Sequence, residues 1–140
     1  MNEISNGDIL RKTFDAFNTR DFESAAQWVA EDLLFVEMPT GREFHGREGL
    51  LREYAEWARA FPDGRVDIEN IHEAGDWVIT EFTVTGTNTG PFMGPDGEEL
   101  PPSNKHVTVH SCDVVHLTNG QVDRGRSYFD LNTITNQITD

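Results

Sequence analysis

The sequence predicts an α+β domain in which helices cover one face of a curved, mostly antiparallel sheet. Three segments with apolar residues at helical spacing come first, with one short apolar stretch among them. Four segments with strand-like alternation follow. Helices grouped ahead of antiparallel strands pack as a layer on the sheet, which gives this two-layer arrangement. With 140 residues, the chain is long enough to bury a core, and we expect residues 1–140 to form a single domain.

The first half of the chain contains the helical segments. Their apolar stripes predict helices at residues 7–18, 21–30 and 47–61. Ser5 or Asn6 can cap the first of these helices, and Asp21 can cap the second, because their side-chain oxygens accept from free backbone amides. The short apolar stretch at residues 33–38 predicts a strand between the second and third helices.

The second half predicts a meander of strands followed by a short closing helix. The strands are expected at residues 66–73, 77–87, 106–117 and 121–130, and the helix at 131–137. A Gly- and Pro-rich loop at residues 90–104 separates the second and third of these strands and carries Phe92, Met93 and Leu100. This loop is either a lid or contact loop over a site, or a surface hairpin.

The strand at residues 106–117 has one apolar row that is interrupted by polar residues. The odd positions form this row: Val107, Val109, Ser111, Asp113, Val115 and Leu117. Alternate side chains of a strand point to opposite faces, so the odd row should face the core. A carboxylate in such a row is costly unless it is paired, protonated or facing a cavity. Asp113 is therefore the most informative residue of the sequence.

The turn of the final hairpin decides which residue lies opposite Asp113. A two-residue turn at Asn119-Gly120 would place Arg126 there and predict a cross-strand ion pair. A three-residue loop that includes Thr118 would place Gly125 there instead. We favour the three-residue loop, because it turns the uncharged row of Gly125, Ser127 and Phe129 toward the interior. It leaves Asp113 without a cationic partner and beside small residues that make room for a ligand.

Composition excludes several classes of partner. The chain has 25 acidic and 11 basic residues and a formal net charge of −14. Nucleic acids and anionic membranes need basic patches, so neither is expected as a partner. The single cysteine, Cys112, excludes an internal disulfide. No leader peptide and no membrane-spanning stretch is evident, so we expect a cytoplasmic protein.

The even positions of the same strand predict the outer face of the sheet. They carry little charge for an exposed face: His106, Thr108, His110, Cys112, Val114 and His116. Residues four apart on a strand are separated by roughly 13 Å, too far for two of these histidines to share a metal ion. We therefore predict no metal site, and we predict a homodimer that forms through this face.

Four stretches carry a resemblance to a known family. They are FDAFNTRD at residues 14–21, the segment at 31–46 that contains VEMPTG and FHG, LPPSNK at 100–105, and the hairpin and tail at 119–137 that contain RSYFD. Together they resemble the SnoaL-like polyketide cyclases of the nuclear transport factor two-like superfamily, whose cousins include ketosteroid isomerases and limonene epoxide hydrolases. The resemblance implies a cone-shaped fold, with three N-terminal helices closing a strongly bent sheet around a pocket, and dimers that pair through the outer sheet face.

The resemblance also implies roles for individual positions. Asp113 matches the acid that donates a hydrogen bond to the developing oxyanion in ketosteroid isomerases. Glu37 matches a water-holding asparagine of the epoxide hydrolases and is next to the position of the isomerases' general base. Ser127 replaces an aspartate that is catalytic in the cyclases. Phe82 and Val84 replace an arginine and an aspartate of the epoxide hydrolases.

Glu37 and Asp113 are the predicted catalytic residues. Two carboxyls in one apolar cavity should have separated pKa values, so that one is a base and the other a neutral acid. We expect Glu37 on the wall opposite Asp113, although the alternation of its own strand does not settle which face it occupies. Structural roles are the alternatives: a solvated edge residue for Glu37, and an ion pair or a serine-bonded carboxylate for Asp113.

The predicted function is a cofactor-free cyclase or isomerase that acts on a hydrophobic, carbonyl-bearing metabolite of polyketide or steroid type. The side chains expected to bind this substrate are Ser111, Ser127, Phe35, Tyr54, Trp57, Phe61, Phe82 and Val84. The alternative is a non-catalytic ligand-binding or dimerisation module of the same fold, because one fold hosts many functions.

Overall fold

The computed structural model describes residues 4–94 and 96–139, which contain four helices and eight strands. In chain order they are α1 (Asn6–Thr19), α2 (Phe22–Ala26), β1 (Val29–Glu37), β2 (Arg42–His45), α3 (Gly46–Ala60), β3 (Arg65–Ala74), β4 (Trp77–Thr87), β5 (Phe92–Met93), β6 (Glu99–Leu100), β7 (His106–Thr118), β8 (Gln121–Phe129) and α4 (Leu131–Thr139).

Six of the strands form one curved sheet in the order β2-β1-β8-β7-β4-β3. Every neighbouring pair is antiparallel except β1 and β8, which are parallel. The helices α1 and α3 lie over the inner face of this sheet, where α1 contacts β3 and β4 and α3 contacts β1 and β2. This architecture confirms the predicted α+β class and the mostly antiparallel sheet.

The helix α1 forms as its sequence predicts. The Ser5 hydroxyl accepts a hydrogen bond from the Asp8 backbone amide at 3.1 Å, which caps the first turn. The helix buries Ile9, Leu10 and Phe14 against the sheet, at the spacing that places them on one face.

The second predicted helix is too long at its C-terminal end. The helix α2 ends at Ala26, and Val29, which was expected to be helical, begins β1. The chain leaves the helix because the Trp28 carbonyl accepts from the Val122 amide at 2.8 Å and Val29 pairs with Val122. Pairing with a strand that is remote in sequence overrides local helical preference here.

Two short hairpin pairings were absent from the predicted elements. The strand β2 pairs antiparallel with β1 and buries Phe44 completely. The loop predicted at residues 90–104 contains the two-stranded hairpin of β5 and β6. Phe92 of this hairpin packs on the rings of Trp57 and Phe61, with centroid distances of 5.7 and 5.9 Å. The loop is therefore a hairpin packed against α3.

The register of the final hairpin differs from both sequence-based alternatives. Thr118 pairs with Gln121, so the turn has two residues rather than the three that we favoured. A bulge then inserts Asp123 as an extra residue, and Asp113 lies opposite Ser127, not opposite Gly125 or Arg126. Asp123 anchors the bulge: one carboxylate oxygen lies 2.7 Å from His116 Nδ1, and the other accepts from the Thr118 hydroxyl at 2.8 Å.

The predicted faces of β7 are nevertheless correct. Val107, Val109, Val115 and Leu117 are buried on the inner face. The even row occupies the outer face, where the side chains from His106 to His110 are exposed and those from Cys112 to His116 are half-buried. The inward face of β7 does not depend on the turn, because the core itself selects the apolar row.

Gly125 allows a close approach between β8 and the β1 side chain above it. A Cβ atom at position 125 would lie 2.5 Å from Cδ2 of Phe35 and 3.2 Å from Cγ1 of Val115. Phe35 and Val115 are both buried cross-strand neighbours of Gly125. The bare backbone of Gly125 is therefore needed for the Phe35 ring to approach β8 this closely.

We expect Gly125→Ala to lower the free energy of unfolding by about 1–3 kcal/mol, because the new methyl group overpacks the core. Urea denaturation of the single variants, Gly125→Ala and Phe35→Leu, and of the double variant tests this origin. The smaller leucine side chain should make room for the methyl group, so the double variant should lose less than the sum of the two single losses. Strictly additive losses would contradict the proposed contact.

Candidate functional site

A cavity of about 110 Å³ lies between the inner face of the sheet and the helices α1 and α3. A single water needs roughly 10–15 Å³ by this measure, so the space suits a small organic molecule. Most of the wall is apolar. It includes every residue that the sequence analysis assigned to catalysis or substrate binding: Phe35, Glu37, Tyr54, Trp57, Phe61, Phe82, Val84, Ser111, Asp113 and Ser127.

Three polar residues of the sheet form one row across neighbouring strands. Glu37 on β1 pairs with Ser127 on β8, and Ser127 pairs in turn with Asp113 on β7. Adjacent strands are about 4.8 Å apart, so the backbones of Glu37 and Asp113 are roughly 10 Å apart with Ser127 between them. The expectation that Glu37 lies on the wall opposite Asp113 is wrong, since both residues project from the same sheet.

Glu37 is an inward residue of β1 and is only 5 % exposed. Both of its carboxylate oxygens accept hydrogen bonds, one from the Thr40 hydroxyl at 3.2 Å and the other from the Trp57 indole nitrogen at 3.1 Å. Burial raises the pKa of Glu37 above its ordinary value, while the bond from Trp57 and the charge of Arg42 act in the opposite direction. The structure thus excludes a solvated edge position for Glu37.

Asp113 lacks the cation that would make it a structural residue. Its Oδ1 is buried and has no hydrogen-bond partner. Arg126, the candidate partner, lies on the outer face, with its guanidinium 5.6 Å from the centre of the Trp77 ring. Burial raises the pKa of Asp113 to about 7, Ser127 hydrogen bonding offsets part of this rise, and the charge of Glu37 adds to it.

A third carboxyl, Glu53 of α3, faces the same cavity and was missed by the sequence analysis. Burial raises its pKa well above the ordinary value, and the charges of Glu37 and Asp113 raise it further. A signal for its position was present, because Leu50, Glu53, Tyr54 and Trp57 recur at the i, i+3, i+4, i+7 spacing of one helical face.

Tyr54 presents its phenol to the cavity beside Glu53. Burial raises the pKa of Tyr54, the charges of Glu53 and Asp113 add to the rise, and a hydrogen bond with Thr13 of α1 opposes it. The phenol therefore stays neutral and keeps its proton as a hydrogen-bond donor.

Arg42, whose charge acts on Glu37, is engaged outside the main cavity. The Arg42 guanidinium binds both carboxylate oxygens of Glu56, at 2.7 and 3.0 Å. This pair lines a smaller cavity of about 30 Å³ that shares Glu37 and Trp57 with the main one. The positive charge of Arg42 lowers the pKa of Glu37, although Arg42 does not line the main cavity.

Within residues 4–94 and 96–139, no three His, Cys, Asp or Glu side chains are placed to hold one metal ion. None of the helices in this part of the chain is long and apolar enough to cross a membrane.

Comparisons with known proteins identify the family. The sequence model of the SnoaL-like polyketide cyclase family matches residues 7–138. The chain therefore belongs to the SnoaL-like polyketide cyclase family. Among curated proteins, no sequence matches this chain.

Solved structures share the fold at low identity. A protein described as a SnoaL-like polyketide cyclase from Jannaschia sp. CCS1 has a TM-score of 0.85 and 23 % identity, covering 99 % of this chain and 98 % of its own. IdmH from Streptomyces antibioticus, described as a polyketide cyclase, has a TM-score of 0.80 and 22 % identity, with 98 % and 100 % coverage. A protein with a ketosteroid isomerase-like fold from Catenulispora acidiphila has a TM-score of 0.80 and 17 % identity, with 96 % and 94 % coverage. At these identities the likeness shows the fold alone.

The raised pKa of Asp113 makes stability depend on pH. The folded state holds this proton more tightly than the unfolded chain, so the contribution to stability is fully present below pH 3.8 and is lost as the pH rises through about 7. At about 1.4 kcal/mol per pH unit, the loss from Asp113 approaches about 4 kcal/mol. Asp113→Asn removes this titration, and its unfolding free energy should fall less between pH 4 and pH 8 than that of the wild type.

Urea denaturation across this pH range measures the difference. Asp32→Asn is the matched control, because Asp32 is exposed on β1 and its substitution makes the same change of charge. Glu37 and Glu53 still titrate in both proteins, so a shallower decline should remain in Asp113→Asn. Equal pH slopes for the wild type and Asp113→Asn would show that the pKa of Asp113 is the same in the folded and unfolded states, and would contradict this prediction.

Proposed function

We propose that this protein catalyses acid–base chemistry at a carbon next to the carbonyl group of a hydrophobic small molecule, in a cyclisation or an isomerisation. The observation that carries the proposal is the row of Glu37, Ser127 and Asp113 across three adjacent strands, inside an apolar cavity. Two carboxyls held in such a site cannot both ionise cheaply, so one takes the role of base and the other that of acid.

Hydrogen bonding supports a division of roles within the row. Both oxygens of Glu37 accept hydrogen bonds, which favours its charged form, and it is the proposed general base. Asp113 has an unpartnered buried oxygen and a pKa of about 7, which favours its neutral form. Neutral Asp113 would donate its proton to the substrate oxygen as negative charge develops there.

The serines lie where the substrate oxygen would be held. Ser127 is between the two carboxyls, and Ser111 pairs with Phe129 in the next inward position of β7. Each hydroxyl can donate one hydrogen bond, so we propose that they orient the substrate carbonyl or a bound water. The aromatic walls formed by Phe35, Phe61 and Phe82 suit a flat ring system of polyketide or steroid type.

Deuterium exchange at the α-carbon of 2-tetralone, a fused-ring ketone, tests this chemistry without knowledge of the natural substrate. We expect the wild type to accelerate exchange above the buffer rate, as followed by proton NMR. Asp113→Asn should lower the rate by about a hundredfold or more, the scale of one lost oxyanion donor. Glu37→Gln should lower it by about 10²–10⁴-fold, the scale of a lost general base.

Glu48→Gln is the matched control, because Glu48 is exposed on α3 and lies outside the cavity wall. Its exchange rate should equal that of the wild type. If the wild type binds 2-tetralone without accelerating exchange, the protein is a ligand-binding module of this fold, and the acid–base proposal is wrong.

We also propose that two copies of the chain pair through the outer face of the sheet. Apolar side chains remain exposed on and beside this face, with Leu34 36 %, Met38 43 % and Tyr128 42 % accessible. The carboxylate of Glu69, on the neighbouring part of the sheet, lies 3.5 Å from His110 Nδ1. The outward row of β7, from His106 to His116, contains no carboxyl, which limits repulsion between two strongly acidic chains at its centre.

Sedimentation velocity at micromolar concentration should show a dimer. Val114→Glu adds a charge at the half-buried centre of the even row and should produce a monomer with an unchanged circular dichroism spectrum. Ala55→Glu adds the same charge at an exposed position of α3 and should remain dimeric. A monomeric wild type, or a Val114→Glu protein that stays dimeric, would contradict this interface.

A further inference from the structure

The cavity contains more carboxyl groups than the proposed reaction uses. Three of the described residues that line it have carboxyl groups: Glu37, Glu53 and Asp113. No Lys, Arg or His is among these lining residues. An acid and a base account for two of these carboxyls. The third, Glu53, forms no hydrogen bond or ion pair with another side chain among the residues that the structure describes.

An unpaired carboxyl in an apolar wall is expensive unless something neutralises it. Proton binding is one solution, and a cation is the other. The charge of Arg42 acts on Glu37 and Glu53, but Arg42 binds Glu56 and does not line the main cavity. The unpartnered Oδ1 of Asp113 is a second buried acceptor that the protein leaves without a donor.

The wall beside Glu53 has the composition of a site for an organic cation. Tyr54 and Trp57 follow Glu53 on the same face of α3, and Phe17 packs edge-on against Tyr54 with ring centroids 5.6 Å apart. Aromatic faces attract an ammonium group through their negative quadrupole, most strongly where water is excluded. A carboxylate with adjacent aromatic rings complements a positively charged, otherwise hydrophobic ligand.

We propose that the ligand of this cavity is a hydrophobic amine, bound as its ammonium ion with the charge on Glu53. The inference rests on the proposed function only in taking Glu37 and Asp113 as the reacting pair. The rings of the ligand fill the apolar space, and its ammonium group supplies the donors that Glu53 lacks. The negative charge of Glu53 repels carboxylate and phosphate ligands, and no cationic side chain lines the described part of the cavity to bind them.

A matched series of probes measures this preference directly. The compounds 2-naphthylmethylammonium, 2-naphthylmethanol and 2-naphthoate share one ring system and differ in charge. Isothermal titration at neutral pH and physiological salt should show the ammonium binding about tenfold or more tightly than the alcohol, the scale of one charge-assisted hydrogen bond. The naphthoate should bind more weakly than the alcohol.

Glu53→Gln assigns the preference to one residue. The variant should bind the ammonium about tenfold more weakly and the alcohol within about twofold of the wild type, because only the charged partner is lost. Glu48→Gln, which removes an exposed charge from the same helix, should change neither affinity. Thermal unfolding of each variant checks that the fold persists.

The outcomes separate this inference from the acid–base proposal. An ammonium that binds less than tenfold more tightly than the alcohol overturns the inference, whatever the exchange rate of 2-tetralone. A Glu53→Gln variant that weakens both probes equally also overturns it, because the effect would then be one of cavity shape. If ammonium selectivity holds and exchange is absent, the cavity binds amines and the proposed catalysis fails alone.

Discussion

The parallel pairing of β1 with β8 is the constraint on which the site depends. It is the one parallel contact among the described strands of the sheet, and it brings a strand from the helical half of the chain beside the final hairpin. Without it, Glu37 would have no fixed relation to Ser127 and Asp113. The pairing also allows close packing, since Phe35 lies over the bare backbone of Gly125 in the next inward position along the same two strands.

The buried carboxyls that the proposed function needs lower the stability of the fold. Each of the three carboxyls has a pKa above its ordinary value, and burial is the largest cause in every case. Above neutral pH the folded state must hold charges that the unfolded chain leaves in water, so the site lowers the stability of the fold. A fully apolar lining would be more stable, and the retention of three acids is the kind of local inconsistency that marks functional sites.

Periodicity in the sequence was sufficient to predict the class of fold, the inward row of β7 and the position of Asp113 in the cavity wall. It could not predict the start of β1, because Val29 leaves a helical pattern to pair with Val122, a residue 93 positions later. It missed Glu53, because an acid within an apolar helical face is normally assumed to reach solvent. The bulge at Asp123 was also missed, since two contacts from β7 side chains stabilise it and no local turn motif encodes it.

That bulge decides which of two sets of side chains lines the cavity. Side chains alternate along a strand, so β8 contains two complete linings: Gly125, Ser127 and Phe129 on one face, and Arg124, Arg126 and Tyr128 on the other. One extra residue at Asp123 selects the first set for the interior. If Asp123 were instead paired within the ladder, Arg124 and Arg126 would face inward beside Asp113. The chemical character of this pocket therefore depends on where the hairpin accommodates one extra residue, and not only on which residues the strand contains.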